Sequence, residues 1–314
     1  MNQAKSKTKV KKRNVIRTFW NQRYLMLLVL PGIVWLIIFC YVPMYGVLIA
    51  FKDYNVGLGI MQSPWVGLTY FREMFSDPWF FKSLRNTIIF SLLDLIVNFP
   101  FPIIFALLIN ELTGMKLYKR VIQTVSYLPH FLSWAFVASF LFTFTSDNGA
   151  LNSMIYALGY TGEPIAFMTD IRSFAAIIVL SSLWKSFGYS SIIYLAAMTS
   201  IDQEMYEAAT IDGAKKLQRI WYITLPSIKP TISVLLILSV SSIIGSNFEQ
   251  FYLLQNSFVS DWAKVLSVYT YEIGFQKGRF SYGTAVGLFT SLVSFILIVV
   301  SNQISKKVSG EGIY

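Results

Sequence analysis

A hydrophilic segment, EMYEAATIDGAKKLQRIWYITLP, lies between two strongly apolar runs in the second half of the chain. Ser200 and Gln203 have the spacing of a capping box and predict the start of a short helix over residues 201–213. Gly213 interrupts this helix, because glycine readily adopts the left-handed conformation that turns a chain sharply. We therefore expect an elbow with exposed acidic groups and small side chains that suit close contact with a protein partner. An amphipathic helix that only links two membrane spans is the alternative.

Polar and aromatic residues inside two apolar runs form a second candidate site. Its members are Trp184, Lys185, Tyr189, Asn247, Glu249, Gln250 and Tyr252. Sugars bind through hydrogen bonds to their hydroxyl groups and through stacking of their apolar ring faces, so this mixture suits a carbohydrate. Packing against a partner subunit is the alternative. Lys185 could pair with Glu249 or meet a carboxylate of an acidic oligosaccharide, and we favour the pair because a fixed counter-ion needs no substrate.

The other ionisable residues in apolar runs offer little catalytic chemistry. Asp94 has Asn98 one turn further on, which predicts hydrogen bonding between helices. His130 is the one histidine and has no carboxylate within a turn, and the adjacent Pro129 predicts a helix start near the inner membrane surface. With Cys40 as the one cysteine, this composition argues against a zinc site. We expect neither catalytic residues nor a metal site.

The composition requires membrane-spanning helices to position these residues. Of the 314 residues, 55% are hydrophobic and only 13% are charged, which is too apolar for an ordinary soluble domain. A spanning helix needs roughly 20 mostly apolar residues. Six segments meet this requirement, namely residues 25–50, 87–112, 121–145, 173–199, 231–254 and 282–303.

The distribution of basic residues predicts the orientation of these spans. Most of the 26 Lys and Arg residues fall in the N-terminal tail, in the loops after the second and fourth spans, and in the C-terminal tail. Basic residues are retained on the cytoplasmic side during insertion, so both termini and the hydrophilic segment are expected in the cytoplasm. The net charge of +10 then reflects topology and anionic lipid, and it is poor evidence for nucleic-acid binding.

Three elements of the hydrophilic segment match, in order and spacing, the EAA motif of permease subunits of ABC importers. They are Glu207-Ala208-Ala209, Asp212-Gly213-Ala214 and, after a spacer, Leu225-Pro226. Five further stretches resemble LplB-type carbohydrate permeases of the maltose-permease-like group: YVPMYGVLIAFKDY, PWVGLTYF, LRNTIIFS, KRVIQTVSYLPHFLSW and LWKSFGYSSIIYL. The resemblance therefore extends over nearly the whole chain.

The resemblance implies an all-α, polytopic membrane protein with the six-helix, MetI-like fold of type I ABC importer permeases. It divides the chain into a basic cytoplasmic tail (residues 1–24), a permease domain (25–303) with a cytoplasmic coupling loop (200–230), and a C-terminal cytoplasmic tail (304–314). The motif residues would then form a coupling helix that docks on an ATPase subunit, with Glu207 paired to a basic residue of that subunit.

The resemblance also implies the partners of such a transport subunit. The chain has no G-x-x-x-x-G-K-[ST] phosphate loop, so ATP hydrolysis must occur on a partner. The implied assembly contains a second, homologous permease, two ATPase subunits that bind ATP and Mg, and an extracellular solute-binding protein that delivers an oligosaccharide. It lies in the bacterial plasma membrane, and no cofactor is expected on this chain. Glu249-Gln250 stands where the maltose permease has an Asn pair, which leaves the identity of the sugar open. An ion-coupled secondary transporter and an intramembrane enzyme are the alternatives.

Overall fold

The computed structural model describes residues 22–112, 114–245, 247–310 and 312. Helices dominate this part of the chain, and its one β-bridge joins Lys52 to Trp65. In chain order the helices are α1 (Arg23–Phe51), α2 (Gly59–Gln62), α3 (Thr69–Ser76), α4 (Pro78–Asn98), α5 (Pro100–Asn110), α6 (Lys116–Tyr127), α7 (Trp134–Thr145), α8 (Ala150–Ala157), α9 (Ile171–Thr199), α10 (Gln203–Ile211), α11 (Lys216–Ser241), α12 (Phe248–Leu254), α13 (Ser260–Ala263), α14 (Leu266–Tyr271) and α15 (Phe280–Ser309). The expected all-α fold is confirmed.

Five helical stretches are long and apolar enough to cross a membrane: α1, α4 together with α5, α9, α11 and α15. A sixth span is present only as a bent pair, Lys116–Phe131 and Trp134–Ala157, whose axes differ by 96°. The prediction of one continuous helix over residues 121–145 is therefore wrong. The helix ends in a 3₁₀ turn, Leu128–Phe131, and Leu132 is extended. Ser133 then caps the next helix by accepting a hydrogen bond from Phe136 N at 3.3 Å.

Two other predicted spans begin at the wrong residue. The second span starts at Pro78 instead of residue 87, because Asp77 caps it by accepting a hydrogen bond from Trp79 N at 2.8 Å. The fifth span starts at Lys216 instead of residue 231 and ends at Ser241. A π-helical turn, Ile220–Thr224, leads directly into the turn that contains Pro226, so the prolines do not delay the helix. Phe248–Leu254, which was expected to complete this span, forms the separate helix α12.

Three buried apolar clusters join these helices in the described part of the chain. Phe90, Phe174 and Phe251 bring α4, α9 and α12 together. A second cluster joins α4 to α14 and α15 around Tyr269 and Tyr282. The third joins α5, α9 and α11. These contacts fix α9 at the centre of the bundle, where it contacts both the bent span and the hydrophilic segment.

Candidate coupling elbow and translocation cavity

The first helix of the hydrophilic segment, α10, begins two residues later than the capping box would place it. Asp202 is the N-cap, and its carboxylate accepts a hydrogen bond from Glu204 N at 3.0 Å. Ser200 instead donates to Ala197 O at 2.7 Å and belongs to the end of α9. Asp202 suits this position because a carboxylate satisfies free N–H groups and complements the positive end of the helix dipole.

The turn at Gly213 has the hydrogen bonds of a Schellman motif. Gly213 has φ +77°, its N–H donates to Thr210 O at 3.1 Å, and Ala214 N donates to Ala209 O at 2.9 Å. These bonds satisfy carbonyl groups that the end of a helix leaves free. The sharp turn predicted from the glycine is therefore present, and α11 follows it at Lys216.

Side-chain hydrogen bonds fasten α10 to the start of α11. The hydroxyl groups of Tyr206 and Thr224 lie 2.9 Å apart, and Thr224 is almost fully buried. Arg219 Nη1 donates to Thr210 Oγ1 at 2.9 Å. The sequence analysis did not identify these contacts, which make α10, the Gly213 turn and the start of α11 a rigid unit, here called the elbow (residues 202–224).

The motif residues lie on the outside of the elbow or beside it. Glu207, Ala208, Asp212, Gly213 and Pro226 are exposed, whereas Ala209, Ala214 and Leu225 are half-buried. Within the described residues Glu207 takes part in no ion pair. Its carboxylate is thus available to a group on another molecule.

A cavity of about 430 Å³ lies between α4, α5, α9, α11 and α12. Serines form much of its polar wall, and three of them, Ser182, Ser186 and Ser190, recur every four residues on one face of α9. The candidate site proposed from the sequence included Tyr189 of α9 but neither Ser182 nor Ser186. The four-residue spacing of serines in an apolar helix was the signal that could have found this wall.

The structure divides the candidate residues for the substrate pathway between the cavity and other surroundings. Tyr189, Asn247 and Gln250 line the cavity. Gln250 is buried, and its Nε2 donates to Ile178 O at 2.8 Å and to Ser181 Oγ at 3.1 Å. The cavity wall therefore receives residues from both apolar runs, as the sequence analysis expected.

Trp184, Lys185, Glu249 and Tyr252 do not line this cavity. Helical periodicity accounts for two of them, because Trp184 lies on the face of α9 opposite to Ser182, and Tyr252 lies on the face of α12 opposite to Gln250. The Tyr252 ring instead contacts the rings of Phe248 and Tyr271, with centroids 5.2 and 5.3 Å apart.

Lys185 is bound to the break in the bent span. It is only 9% exposed, and its Nζ donates to His130 O at 2.7 Å and lies 5.6 Å from the centroid of the Trp134 ring. Three ion pairs occur among the described residues, and none joins Lys185 to Glu249. The expected direct ion pair is therefore absent, because a backbone carbonyl and an aromatic ring contact the ammonium group and Glu249 attracts it only from a longer distance.

His130 also lies in a different place from the expected one. Its ring stacks on Tyr189 with centroids 3.9 Å apart, so it packs against the middle of α9 rather than starting a helix near the inner surface. Asp94 accepts hydrogen bonds from Asn98 on its own helix and from Ser182 on α9. The hydrogen bond from Asn98 lies within α4, so the contact between helices at Asp94 depends on Ser182 alone.

Comparisons with known proteins agree with this architecture. Residues 79–310 match the family model described as binding-protein-dependent transport system inner membrane component. The chain is 48% identical to Protein LplB of Bacillus subtilis (strain 168) over 293 residues, which are 93% of this chain and 91% of LplB. It is 43% identical to the polygalacturonan/rhamnogalacturonan transport system permease protein YteP of the same organism, covering 98% of this chain and 95% of YteP.

The structural comparison gives the same family. A crystal structure of a bacterial ABC transporter involved in the import of the acidic polysaccharide alginate contains a chain with a TM-score of 0.85 and 36% identity. That match covers 94% of this chain and 99% of the other. A second structure of a bacterial alginate transporter, in complex with a periplasmic protein bound to an alginate pentasaccharide, matches equally well. The chain belongs to the family of binding-protein-dependent transport system inner membrane components, as its EAA motif indicated.

Proposed function

We propose that this chain is the transmembrane permease subunit of an ABC importer that translocates oligosaccharides. Family membership supports a transport subunit rather than an enzyme. The names of two similar proteins, the YteP permease and the alginate transporter, support a carbohydrate substrate. The cavity between α4, α5, α9, α11 and α12 offers the hydroxyl, amide and aromatic groups that sugars require.

The observation that carries this proposal is the rigid, exposed elbow. Transport driven by a separate ATPase needs a part of the permease that the ATPase can move without local unfolding. The Schellman turn at Gly213 and the contact between Tyr206 and Thr224 provide such rigidity. Glu207 is exposed on this unit, where a basic residue of an ATPase subunit would form the ion pair.

The proposed assembly follows from the same topology. The elbow and both termini face the cytoplasm, as the distribution of Lys and Arg favours. Two ATPase subunits, which bind ATP and Mg, contact this chain and a second, homologous permease. An extracellular solute-binding protein delivers the oligosaccharide to the opposite side, as the periplasmic protein in the alginate transporter structure suggests.

Substitution of Glu207 tests the coupling role. In the reconstituted transporter, Glu207→Ala should reduce ATP-driven uptake by about tenfold or more, since loss of one partner of a desolvated charge pair costs about 2–5 kcal/mol. Its free energy of unfolding should stay within about 0.5 kcal/mol of the wild-type value, because the side chain is exposed. Glu204→Ala is the matched control, because it removes the same charge from the same helix outside the motif. Equal losses in the two variants would refute the role of Glu207.

The alternatives predict a different result in a simpler assay. An ion-coupled secondary transporter would accumulate substrate in vesicles that contain this chain without an ATPase. An intramembrane enzyme would convert the oligosaccharide without moving it. We expect no uptake and no conversion until ATPase subunits and ATP are supplied, and unaided uptake would overturn the proposed function.

A further inference from the structure

The charge of the cavity wall bears on which oligosaccharides it accepts. Among the lining residues that the structure describes, Asp94 is the only Asp, Glu, Lys, Arg or His. The other polar groups are hydroxyls and amides. The charged state of a carboxyl group is negative, so Asp94 repels an acidic sugar when ionised and gives it no charge attraction when neutral.

Hydrogen bonds within the protein already use some of the donors in this wall. Ser186 Oγ donates to Ser182 O at 2.6 Å, and Ser242 Oγ donates to Ser239 O at 2.9 Å. A serine hydroxyl has one proton to donate, so these two groups offer only lone pairs to a ligand. The Nε2 of Gln250 likewise donates to Ile178 O and Ser181 Oγ.

The acceptors of the wall are less completely used. Asn98 Nδ2 donates to Asp94, and this orientation leaves Asn98 Oδ1 buried without a hydrogen-bond partner. This oxygen has almost no accessible surface, so a sugar hydroxyl would satisfy it by donating its proton only after the Asn98 side chain turns toward the cavity. A carboxylate would not, because an ionised carboxylate only accepts hydrogen bonds.

The basic residue nearest to this wall in the sequence of α9 does not change this balance. Lys185 lies between the cavity residues Ser182 and Tyr189, but it is not part of the lining. Its Nζ is bound to His130 O and faces the Trp134 ring. The cation therefore stabilises the break in the bent span instead of being presented to a ligand.

We infer that this cavity accepts the uncharged, hydroxyl-rich part of an oligosaccharide and discriminates against uronic acid units through Asp94. The inference rests on the proposed function, in that the ligand is taken to be an oligosaccharide. The preference differs from the one suggested by two similar proteins, because the alginate transporter and the polygalacturonan/rhamnogalacturonan permease are named for acidic polysaccharides. Asp94 sets this preference, because it is the one charged residue among the described residues that line the cavity.

A protection assay tests the preference without requiring transport. Ser186→Cys, made in a Cys40→Ser background, places a single thiol in the cavity wall. Membrane vesicles containing the assembled transporter are labelled with N-ethylmaleimide, which is uncharged, in the presence of a galactan pentasaccharide or a galacturonan pentasaccharide. Both probes are chosen with α-1,4 linkages, so that they differ only at C6, which is a hydroxymethyl group in one and a carboxylate in the other. We expect the neutral pentasaccharide to slow labelling at least fivefold more than the acidic one.

Two controls separate charge from other effects. Ser291→Cys, on the exposed surface of α15, should be labelled at the same rate with either sugar. Asp94→Asn in the reporter background removes the negative charge, so it should reduce the ratio of protection by the neutral pentasaccharide to protection by the acidic one at least threefold. The inference would be overturned if the acidic sugar protected the reporter protein with native Asp94 as well as or better than the neutral sugar. It would also be overturned if Asp94→Asn left this ratio of protection unchanged. Protection by neither sugar would also overturn it, whereas the proposed function is tested separately by ATP-driven uptake.

Discussion

Gly188→Ala is the substitution for which the structure gives the sharpest steric expectation. Gly188 lies in α9 where this helix crosses the end of α6. A Cβ atom on Gly188 would lie 2.1 Å from Ser126 O and 2.5 Å from Ser126 C. Cβ atoms are essentially never found within 3.0 Å of such neighbours, so the two helices would have to separate by about 1 Å. The obstacle is backbone, which no rotamer change can remove.

Overpacking of this kind costs about 1–3 kcal/mol, and the backbone obstacle places Gly188→Ala toward the upper end. The same separation would loosen the bond from Lys185 to His130 O and the stacking of His130 on Tyr189. Reversible unfolding in mixed detergent micelles measures the free-energy difference. Gly287→Ala in α15 is the control, because its Cβ would meet nothing within 4 Å and alanine favours a helix by up to about 1 kcal/mol. A Gly188→Ala protein as stable as Gly287→Ala would refute the close helix crossing.

Two further predictions concern the ends of helices. The Asn152 side chain is 1% exposed, donates hydrogen bonds to Ser146 O and Ile165 O at 3.1 Å each, and accepts one from Ile165 N at 2.9 Å. Asn152→Ala should therefore lower the free energy of unfolding by about 1–3 kcal/mol in the same assay. No measurable loss would mean that these bonds do not stabilise the loop. The backbone N–H of Ser173 donates a hydrogen bond to Asp170 and thereby lowers the pKa of this carboxyl group. The ionised Asp170 therefore stabilises the fold above its unfolded-state pKa, and this stabilisation is lost as the pH falls through the folded-state pKa. Asp170→Asn keeps a capping group but should remove this acid dependence. When the free energy of unfolding is measured between pH 7 and 3, the variant should lose less stability than the wild type.

The parts of the fold that were predictable depend on signals that one residue or one helix carries alone. Gly213 predicted the turn because a positive φ is a property of that residue type, and the structure has φ +77° there. The first, fourth and sixth spans were placed within a few residues because apolar length determines membrane crossing.

The break in the bent span was missed because hydropathy is averaged over many residues and does not report the backbone conformation of any one of them. Residues 121–145 remain apolar through the break, and Pro129 gave a signal for a helix start although it lies in the last turn of a helix. Ser133, a good N-cap, was the stronger local signal. A helix that ends and restarts within the same apolar run has no signature in composition.

The fifth span shows the opposite difficulty. The stretch around Gly245 and Asn247 was identified as polar, but it was kept inside one helix over residues 231–254. The structure ends α11 at Ser241 and starts α12 at Phe248, which changes which side chains face the cavity. Gln250 therefore lines the cavity, and Glu249 does not.

The position of Lys185 explains how a cation in the middle of an apolar helix is stabilised here without a direct ion pair. The end of a helix leaves carbonyl groups without intrahelical partners, and in a bilayer water cannot satisfy them. The break after Phe131 places such a carbonyl, His130 O, against α9, and the ammonium group of Lys185 satisfies it at 2.7 Å. The Trp134 ring, at the start of the next helix, adds a cation–π contact on the other side of the break. Because the bent span uses the cation in this way, Asp94 is the one charged residue among the described residues that line the adjacent cavity.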